Sequence, residues 1–127
     1  MPILKAITIY HNPCCSKSRK ALKLLEGTGK RLRVIEYLEK TPSASTLYLL
    51  GRKLRLNPWH MIRRKEPLYL KLHKELDGAP KSQWFKVIAK NPELLERPIV
   101  VYGNKAIIAR PPEKALDILS LCYLNER

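Results

Sequence analysis

The sequence predicts an α/β fold, in which a β-α-β half and a β-β-α half form one mixed sheet with a helical insertion between the halves. The first half is indicated by two alternating apolar runs with a helical period between them, and the second by a Gly-Asn turn joining two β-rich runs. The chain has 127 residues, 45% of them hydrophobic, which is enough for one core. We therefore predict a single domain over residues 1–127, with the insertion at about residues 43–95.

The β-α-β half begins with residues 5–10, which alternate as a strand does. A helix is expected over Ser16–Glu26, because Gly27 and Gly29 follow it and glycine is the usual residue past a helix end. Residues 33–37 are predicted to form a second strand. The two strands should be parallel and joined by a right-handed crossover.

The insertion is predicted to be helical throughout. Its first helix opens at Thr41-Pro42-Ser43, where Thr41 or Ser43 can cap it, and its apolar side is formed by Leu47, Leu49, Leu50 and Leu54. Further helical segments are expected at residues 57–62, 71–76 and 82–91, with prolines separating them.

The β-β-α half follows the insertion. Residues 98–102 and 105–109 are predicted strands, and Gly103-Asn104 between them is a hairpin turn. The chain then enters a closing helix at Pro111-Pro112-Glu113, with four apolar residues expected to face inward: Ala115, Leu116, Ile118 and Leu119. This order of elements is that of a thioredoxin-like sandwich with a helical insertion.

The formal net charge of +14 at pH 7 is the most unusual feature of the composition. Lysine and arginine are spread along the chain and are densest at Arg52-Lys53-Leu54-Arg55 and Arg63-Arg64-Lys65. Such a charge fits either a nucleic-acid-binding protein or a solvated basic surface that attracts small anions. We favour the second interpretation, because the basic residues do not alternate with aromatic ones as they do on stacking platforms. Nucleic acid is expected to bind only weakly and without specificity.

Several classes of protein are disfavoured by what the sequence does not contain. No apolar run approaches the ~20 residues that span a bilayer, and the first residues do not read as a signal peptide, so we expect a cytoplasmic protein without a membrane partner. Three cysteines, two of them adjacent, do not make a disulfide framework. His60 and His73 have no Cys or His at ligand spacing, so no metal site is expected.

The segment between the first strand and the first helix, His11-Asn12-Pro13-Cys14-Cys15-Ser16-Lys17-Ser18-Arg19, indicates a nucleophilic cysteine. Helix N–H groups and the positive end of the helix dipole meet at such a turn, where they stabilise a thiolate and bind anions. Ser18 follows Cys15 by three residues, which gives the one-thiol pattern Cys-x-x-Ser. We interpret Cys15 as the nucleophile, and Cys14 and Cys122 as residues without a redox role.

Five motifs resemble those of the glutaredoxin-coupled arsenate reductases, in the same order and spacing over about residues 4–120. They are Tyr10-His11-Asn12-Pro13-x-Cys15-Ser16-x-Ser18-Arg19, Tyr37-Leu38-Glu39-Lys40-Thr41-Pro42, Met61-Ile62-Arg63-Arg64-Lys65-Glu66, Glu96-Arg97-Pro98-Ile99-Val100-Val101 and Ala109-Arg110-Pro111-Pro112-Glu113. The resemblance implies a thioredoxin-like fold and the reduction of arsenate to arsenite.

The resemblance also implies roles for single residues and partners. Cys15 is the nucleophile that attacks arsenic, with His11 beside it as a second catalytic residue. The oxyanion is bound by Arg63, Arg97 and Arg110, with Arg64 as the alternative should the insertion motif be shifted by one residue. Glutathione is the co-substrate that reduces the adduct, glutaredoxin clears the resulting mixed disulfide, and no cofactor is tightly bound. Supporting roles fall to Asn12, Ser16 and Ser18.

The chemistry of arsenate agrees with this set of residues. A tetrahedral oxyanion needs several planar donors, and guanidinium groups supply bidentate pairs. Pro98 opens a strand beside such a site, so the Arg97–Pro98 peptide bond is expected to be cis. Two other functions stay open: a redox-responsive regulator of this fold that binds RNA polymerase, in which a second cysteine stands where this chain has Ser18, and a thiol-transfer paralogue with another substrate.

Overall fold

The computed structural model describes residues 5–120. The chain divides into two compact units. We call the first the sheet unit, Met1–Glu36 with Arg97–Arg127, and the second the helical unit, Tyr37–Glu96. The predicted insertion of residues 43–95 falls inside the helical unit, which begins six residues earlier and ends one residue later.

The sheet unit contains a mixed four-stranded sheet, as predicted. Its strands are β1 (Ile7–His11), β2 (Leu32–Glu36), β3 (Ile99–Tyr102) and β4 (Lys105–Ile108), in the order β2-β1-β3-β4. β1 and β2 are parallel, while the β1–β3 and β3–β4 pairs are antiparallel. Gly103 has a φ of +66° in the two-residue turn between β3 and β4, a conformation that glycine adopts without a steric cost.

One face of this sheet carries the core of the sheet unit. Ile7, Ile9 and Val100 point to this face and are fully buried. They pack with apolar residues of helix α1 (Ser16–Glu26) and of a closing 3-10 helix (Pro112–Leu119). The strand-to-helix turn before α1 is therefore held at the end of a buried central strand.

The closing segment differs from the prediction in type and in one of its inward residues. Pro112–Leu119 is a 3-10 helix, whose repeat of three residues places Pro112, Ala115 and Ile118 on one buried face. Leu116 lies off that face and is 40% exposed, so the expectation that it points inward was wrong. Leu119 is half-buried against the core.

The helical unit contains α2 (Ala44–Leu54), α3 (Pro67–Leu76) and α4 (Lys81–Lys90), with 3-10 turns at Pro58–His60 and Pro92–Leu94. Ser43 caps α2, because its side chain accepts a hydrogen bond from the backbone N–H of Thr46 at 3.1 Å. No helix within residues 5–120 is both long enough and apolar enough to cross a membrane.

Two sequence predictions for the helical unit were wrong in detail. Leu49 is 56% exposed, because it lies about 200° around the helix from Leu47 and so points away from the buried stripe. α3 begins at Pro67 and not near Lys71, because the first helical position needs no N–H donor and therefore accepts proline.

Candidate active site

The candidate nucleophile lies where β1 passes into α1. β1 ends at His11 and α1 begins at Ser16, so residues 12–15 form the whole connection. Cys15 is the N-cap residue of α1, with extended backbone angles (φ −96°, ψ 121°), and it is half-buried while Cys14 is exposed. The structure therefore gives the two adjacent cysteines different environments.

The N-cap position gives Cys15 a specific relation to the helix. A side chain at this position normally accepts hydrogen bonds from the backbone N–H groups of the first turn. Cys15 makes no such side-chain hydrogen bond, and the first turn contains no acidic residue. An ionised sulfur at this position would face unpaired N–H donors and the positive end of the helix dipole.

Hydrogen bonds hold the connection in one shape. The side-chain oxygen of Asn12 accepts a hydrogen bond from the backbone N–H of Cys14 at 2.9 Å. The backbone carbonyl oxygen of Asn12 accepts one from the backbone N–H of Cys15 at 3.0 Å. The guanidinium of Arg19 donates to the carbonyl oxygen of Pro13 at 2.8 Å. Arg19 thus ties the loop to the first turn of α1, a role that sequence reasoning missed although the residue stood in the motif.

Beneath the loop, His11 and Ser18 form a buried polar pair. Ser18 is fully buried and His11 is 4% exposed, and the Nδ1 atom of His11 lies 2.7 Å from the Oγ atom of Ser18. The same Oγ accepts a hydrogen bond from the backbone N–H of Asn12 at 3.0 Å. Ser18 therefore connects the end of β1, the loop and α1 through one hydroxyl group.

The surroundings of His11 lower the pKa of its imidazole from the ordinary value of 6.5. Burial is the largest cause, since it disfavours the charged ring, and the positive charge of Arg19 acts in the same direction against the opposing effect of Glu36. The lowered pKa favours the uncharged ring, and the contact of this ring with the loop is its hydrogen bond with Ser18. The catalytic role expected of His11 stays a prediction.

Two of the predicted arginines lie at the same edge of the sheet as the loop. The antiparallel register pairs Tyr10 with Ile99, so β3 begins beside the end of β1, with Arg97 two residues before Ile99. The guanidinium of Arg110 donates to the carbonyl oxygen of Arg97 at 3.1 Å. The structure thus brings together two arginines that are 13 residues apart in sequence.

Arg97 has a feature that is unusual for a guanidinium group. Its Nε atom is buried and has no hydrogen-bond partner in the part of the chain that the structure describes. Buried polar groups normally have a partner. The Arg97–Pro98 peptide bond is cis, as predicted, and so is the Arg110–Pro111 bond, which was not predicted although it repeats the same Arg-Pro pair.

The third predicted arginine, Arg63, lies in the helical unit. Its Nη1 atom is 2.9 Å from a carboxylate oxygen of Glu66 and donates to the carbonyl oxygen of Glu93 at 3.4 Å. The neighbouring Arg64 donates instead to the carbonyl oxygen of Trp59 at 3.3 Å. Adjacent arginines therefore have different partners, and the oxyanion-binding role of Arg63 stays a prediction.

Other predicted residues have no contact that assigns them a function. Ser16 is exposed at the first position of α1, and its supporting role stays a prediction. Cys122 lies outside the described residues. Within residues 5–120, no group of three or more His, Cys, Asp or Glu side chains is placed to hold a metal ion.

A cysteine at the N-cap of the first helix, after the central strand of a mixed sheet, places this chain in the class of thioredoxin-like proteins. Residues 10–118 match the ArsC family, and the chain belongs to it. A solved structure described as an arsenate reductase from Vibrio cholerae matches with a TM-score of 0.85 and 44% identity, over 91% of this chain and 99% of that one.

Relatives of known sequence agree with the family assignment. The arsenate reductase of Haemophilus influenzae is 42% identical over 115 residues, which cover 90% of this chain and 99% of the relative. The arsenate reductase of Neisseria meningitidis serogroup A is 41% identical over 114 residues, which cover 89% of this chain and 97% of the relative. The similarity therefore extends over nearly the full length of each relative.

Proposed function

We propose that this chain reduces arsenate to arsenite, with Cys15 as the nucleophile. The observation that carries the proposal is the position of Cys15 at the uncapped N-terminus of α1, at the sheet edge that also holds Arg97 and Arg110. Relatives at 41–42% identity with nearly equal length are named arsenate reductases, which supports this choice of substrate.

The first step is the attack of the Cys15 sulfur on arsenic(V). A sulfur–arsenic bond forms, and one arsenate oxygen leaves as water after it is protonated. The positive end of the α1 dipole lies at this sulfur and stabilises negative charge there. The tied loop of residues 12–15 holds that sulfur in place, so that little ordering is left for the moment of reaction.

The arginines stabilise the negative charge on the arsenate oxygens. Guanidinium donors in fixed positions are effective because they need no rearrangement as charge develops. The buried Nε of Arg97 supports its role, since an oxyanion would supply the acceptor that this N–H group lacks. Arg110 lies against the backbone of Arg97 and is proposed as the second donor. Arg63 is proposed as a third on the resemblance of its motif alone.

The second step needs an external reductant, for which we propose glutathione. The glutathione thiol supplies the second sulfur, arsenic takes up two electrons and leaves as arsenite, and Cys15 becomes a mixed disulfide with glutathione. Glutaredoxin then returns Cys15 to the thiol by exchange through its own cysteine. Ser18 stands where a second active-site cysteine would be needed for an internal disulfide, which supports an external partner.

The matched variants Cys15→Ser and Cys14→Ser test this proposal. Arsenite formation is measured with arsenate, glutathione and glutaredoxin present. We expect Cys15→Ser to abolish it and Cys14→Ser to retain most of it, because only Cys15 is the N-cap residue of α1. Cys122→Ser should also retain most activity. Full activity in Cys15→Ser, or complete loss in Cys122→Ser, would overturn the single-nucleophile mechanism.

A further inference from the structure

The helical unit contains a cavity of about 210 Å³ that the proposed arsenate chemistry does not use. It lies between the end of α2 and the beginning of α4 and includes part of the dense basic stretch Arg52-Lys53-Leu54-Arg55. Six of its lining residues matter for what it can bind: Tyr48, Arg52, Arg55, Asn57, Lys81 and Phe85. We call it the basic cavity.

The charged residues that line the basic cavity are all of one sign. Arg52, Arg55 and Lys81 contribute three cations, and no described residue that lines the cavity is acidic. Lys81 is also the first residue of α4, a ten-residue helix with no side-chain cap and no acidic residue in its first turn. Backbone N–H groups at such a helix end favour an anion. Helix and side chains therefore attract the same kind of group.

Aromatic rings form another wall of the basic cavity. The rings of Tyr48 and Phe85 pack edge to face with their centroids 6.0 Å apart, and Tyr48 is 49% exposed. The guanidinium of Arg52 lies 6.0 Å from the centre of the Tyr48 ring. An exposed ring beside cations suits a ligand that carries both a planar group and negative charge.

Arg55 has a backbone conformation that favours glycine. Its φ of +59° is the one positive value at a non-glycine position within residues 5–120, and it occurs where α2 ends. Glycine is the usual residue there, because other L-residues adopt this conformation only at a cost. Arg55 thus places a guanidinium at the cavity, although its backbone conformation favours glycine. Residues in costly backbone conformations are common at functional sites.

From these observations we propose that the basic cavity binds a small phosphomonoester whose phosphate is attached to a planar ring. Arg52, Arg55 and Lys81 hold the phosphate oxygens, and the ring packs on Tyr48. A phosphate dianion has three terminal oxygens for these donors, whereas a carboxylate has two. The cavity is larger than a bare phosphate needs but smaller than the ~300–1,000 Å³ typical of drug-sized ligands. This site is independent of the proposed arsenate reduction.

Residue-resolved NMR titration of the whole chain with phenyl phosphate tests the proposal. Benzoate and inorganic phosphate, at the same ionic strength, separate the contributions of the phosphate and the ring. We expect phenyl phosphate to shift the signals of Tyr48, Arg52 and Arg55, and to bind about tenfold more tightly there than either comparison anion. Shifts confined to the loop of residues 12–15 would overturn the proposal, because the anion would then occupy the cysteine site.

Three variants complete the test. Arg52→Gln and Arg55→Gly should each weaken phenyl phosphate binding about tenfold or more, while Lys74→Gln, an exposed cation of the same unit outside the cavity, should bind as the wild type does. Arg55→Gly suits the left-handed backbone, so its loss of binding should come with an unchanged or higher Tm. All three should retain arsenate reduction.

Equal weakening in all three variants would overturn the proposal, as would unchanged binding in both arginine variants. So would displacement of phenyl phosphate by a single-stranded oligonucleotide at a lower concentration, because the surface would then be a nucleic-acid site. If the wild type does not reduce arsenate, that result would count against the proposed function and would leave the proposed phosphomonoester site unaffected.

Discussion

Ser18 decides much of the geometry of the loop, although it is neither charged nor reactive. Its hydroxyl is shared between the Nδ1 atom of His11 at 2.7 Å and the backbone N–H of Asn12 at 3.0 Å, in a fully buried position. Removing it would leave the buried Nδ1 atom of His11 and the part-buried N–H of Asn12 without this partner, which costs more than the loss of a single exposed hydrogen bond. The serine of the Cys-x-x-Ser pattern therefore has a positioning role that the spacing alone did not define.

The lowered pKa of His11 predicts a pH dependence of stability. Because the folded state binds a proton less readily than the unfolded state does, the free energy of unfolding should be highest above pH 6.5. The free energy of unfolding should fall as the pH drops from 6.5 to the lower pKa that His11 has in the folded state. Urea unfolding from pH 7.5 to 5 measures this effect, with His11→Gln as the control.

The difference between wild type and His11→Gln isolates the histidine from other titrating groups. We expect the wild type to lose more stability than the variant over this range. Parallel curves for the two proteins would show that His11 is not held in its neutral form by the fold.

Arg97 is predicted to contribute through the shape of its donor group as well as its charge. Arg97→Ala should lower kcat/KM for arsenate, with a loss of transition-state stabilisation of about 2–4 kcal/mol, the amount typical for loss of a preorganised charged donor. Arg97→Lys should recover only part of this, because an ammonium cannot reproduce the planar fork. Full recovery with lysine would mean that only the charge matters.

The neighbouring pair Arg63 and Arg64 provides a matched comparison in the same assay. Arg63→Ala should remove a similar amount of transition-state stabilisation, on the order of 2–4 kcal/mol, while Arg64→Ala should leave kcat/KM nearly unchanged. The reverse result would show that the insertion motif is shifted by one residue and that Arg64 is the substrate-binding arginine.

At the scale of single elements, α2 shows which local signals set a helix boundary. Ser43 accepts from the N–H of Thr46 at 3.1 Å, so Ser43→Ala should lower the free energy of unfolding by about 1 kcal/mol. Ser82→Ala is the control, because Ser82 is exposed in the first turn of α4 and does not cap it. Chemical denaturation measures both variants, and equal stability of the two would contradict the capping role.

The sequence predicted elements well where one strong local rule applied. The β3–β4 hairpin follows from Gly103-Asn104, and the C-terminal end of α1 agrees with the glycines after it. The closing 3-10 helix could not be distinguished from an α-helix, because Ala115 and Ile118 fit a repeat of three residues as well as one of 3.6. In the structure, Pro112 shares the buried face of Ala115 and Ile118, which fits the repeat of three residues.

At the scale of the whole molecule, local sequence patterns do not specify how residues far apart in the chain meet. The position of Cys15 follows from the strand-to-helix turn, which is a local feature. The contact of Arg110 with the backbone of Arg97 depends on the register of three strands, which no local pattern specifies.

The net charge of +14 should act on the molecule as a whole. We expect kcat/KM for arsenate to fall modestly as salt is added, because screening acts over about 8–10 Å at moderate ionic strength. Nucleic acid should bind weakly, without sequence preference, and lose affinity steeply with salt. Titrations between low and physiological salt measure both effects. A sequence-selective complex that survives physiological salt would favour the regulator class instead.

Mass spectrometry of the cysteine adduct tests the central claim most directly. Residues 6–17 form one tryptic peptide that contains both Cys14 and Cys15, so the Cys14→Ser variant is used to assign the modified sulfur. After treatment with arsenate and glutathione, without glutaredoxin, we predict one glutathione on Cys15, and none when arsenate is omitted. A glutathione adduct that forms equally without arsenate, or that persists on this peptide in Cys15→Ser, would contradict the account.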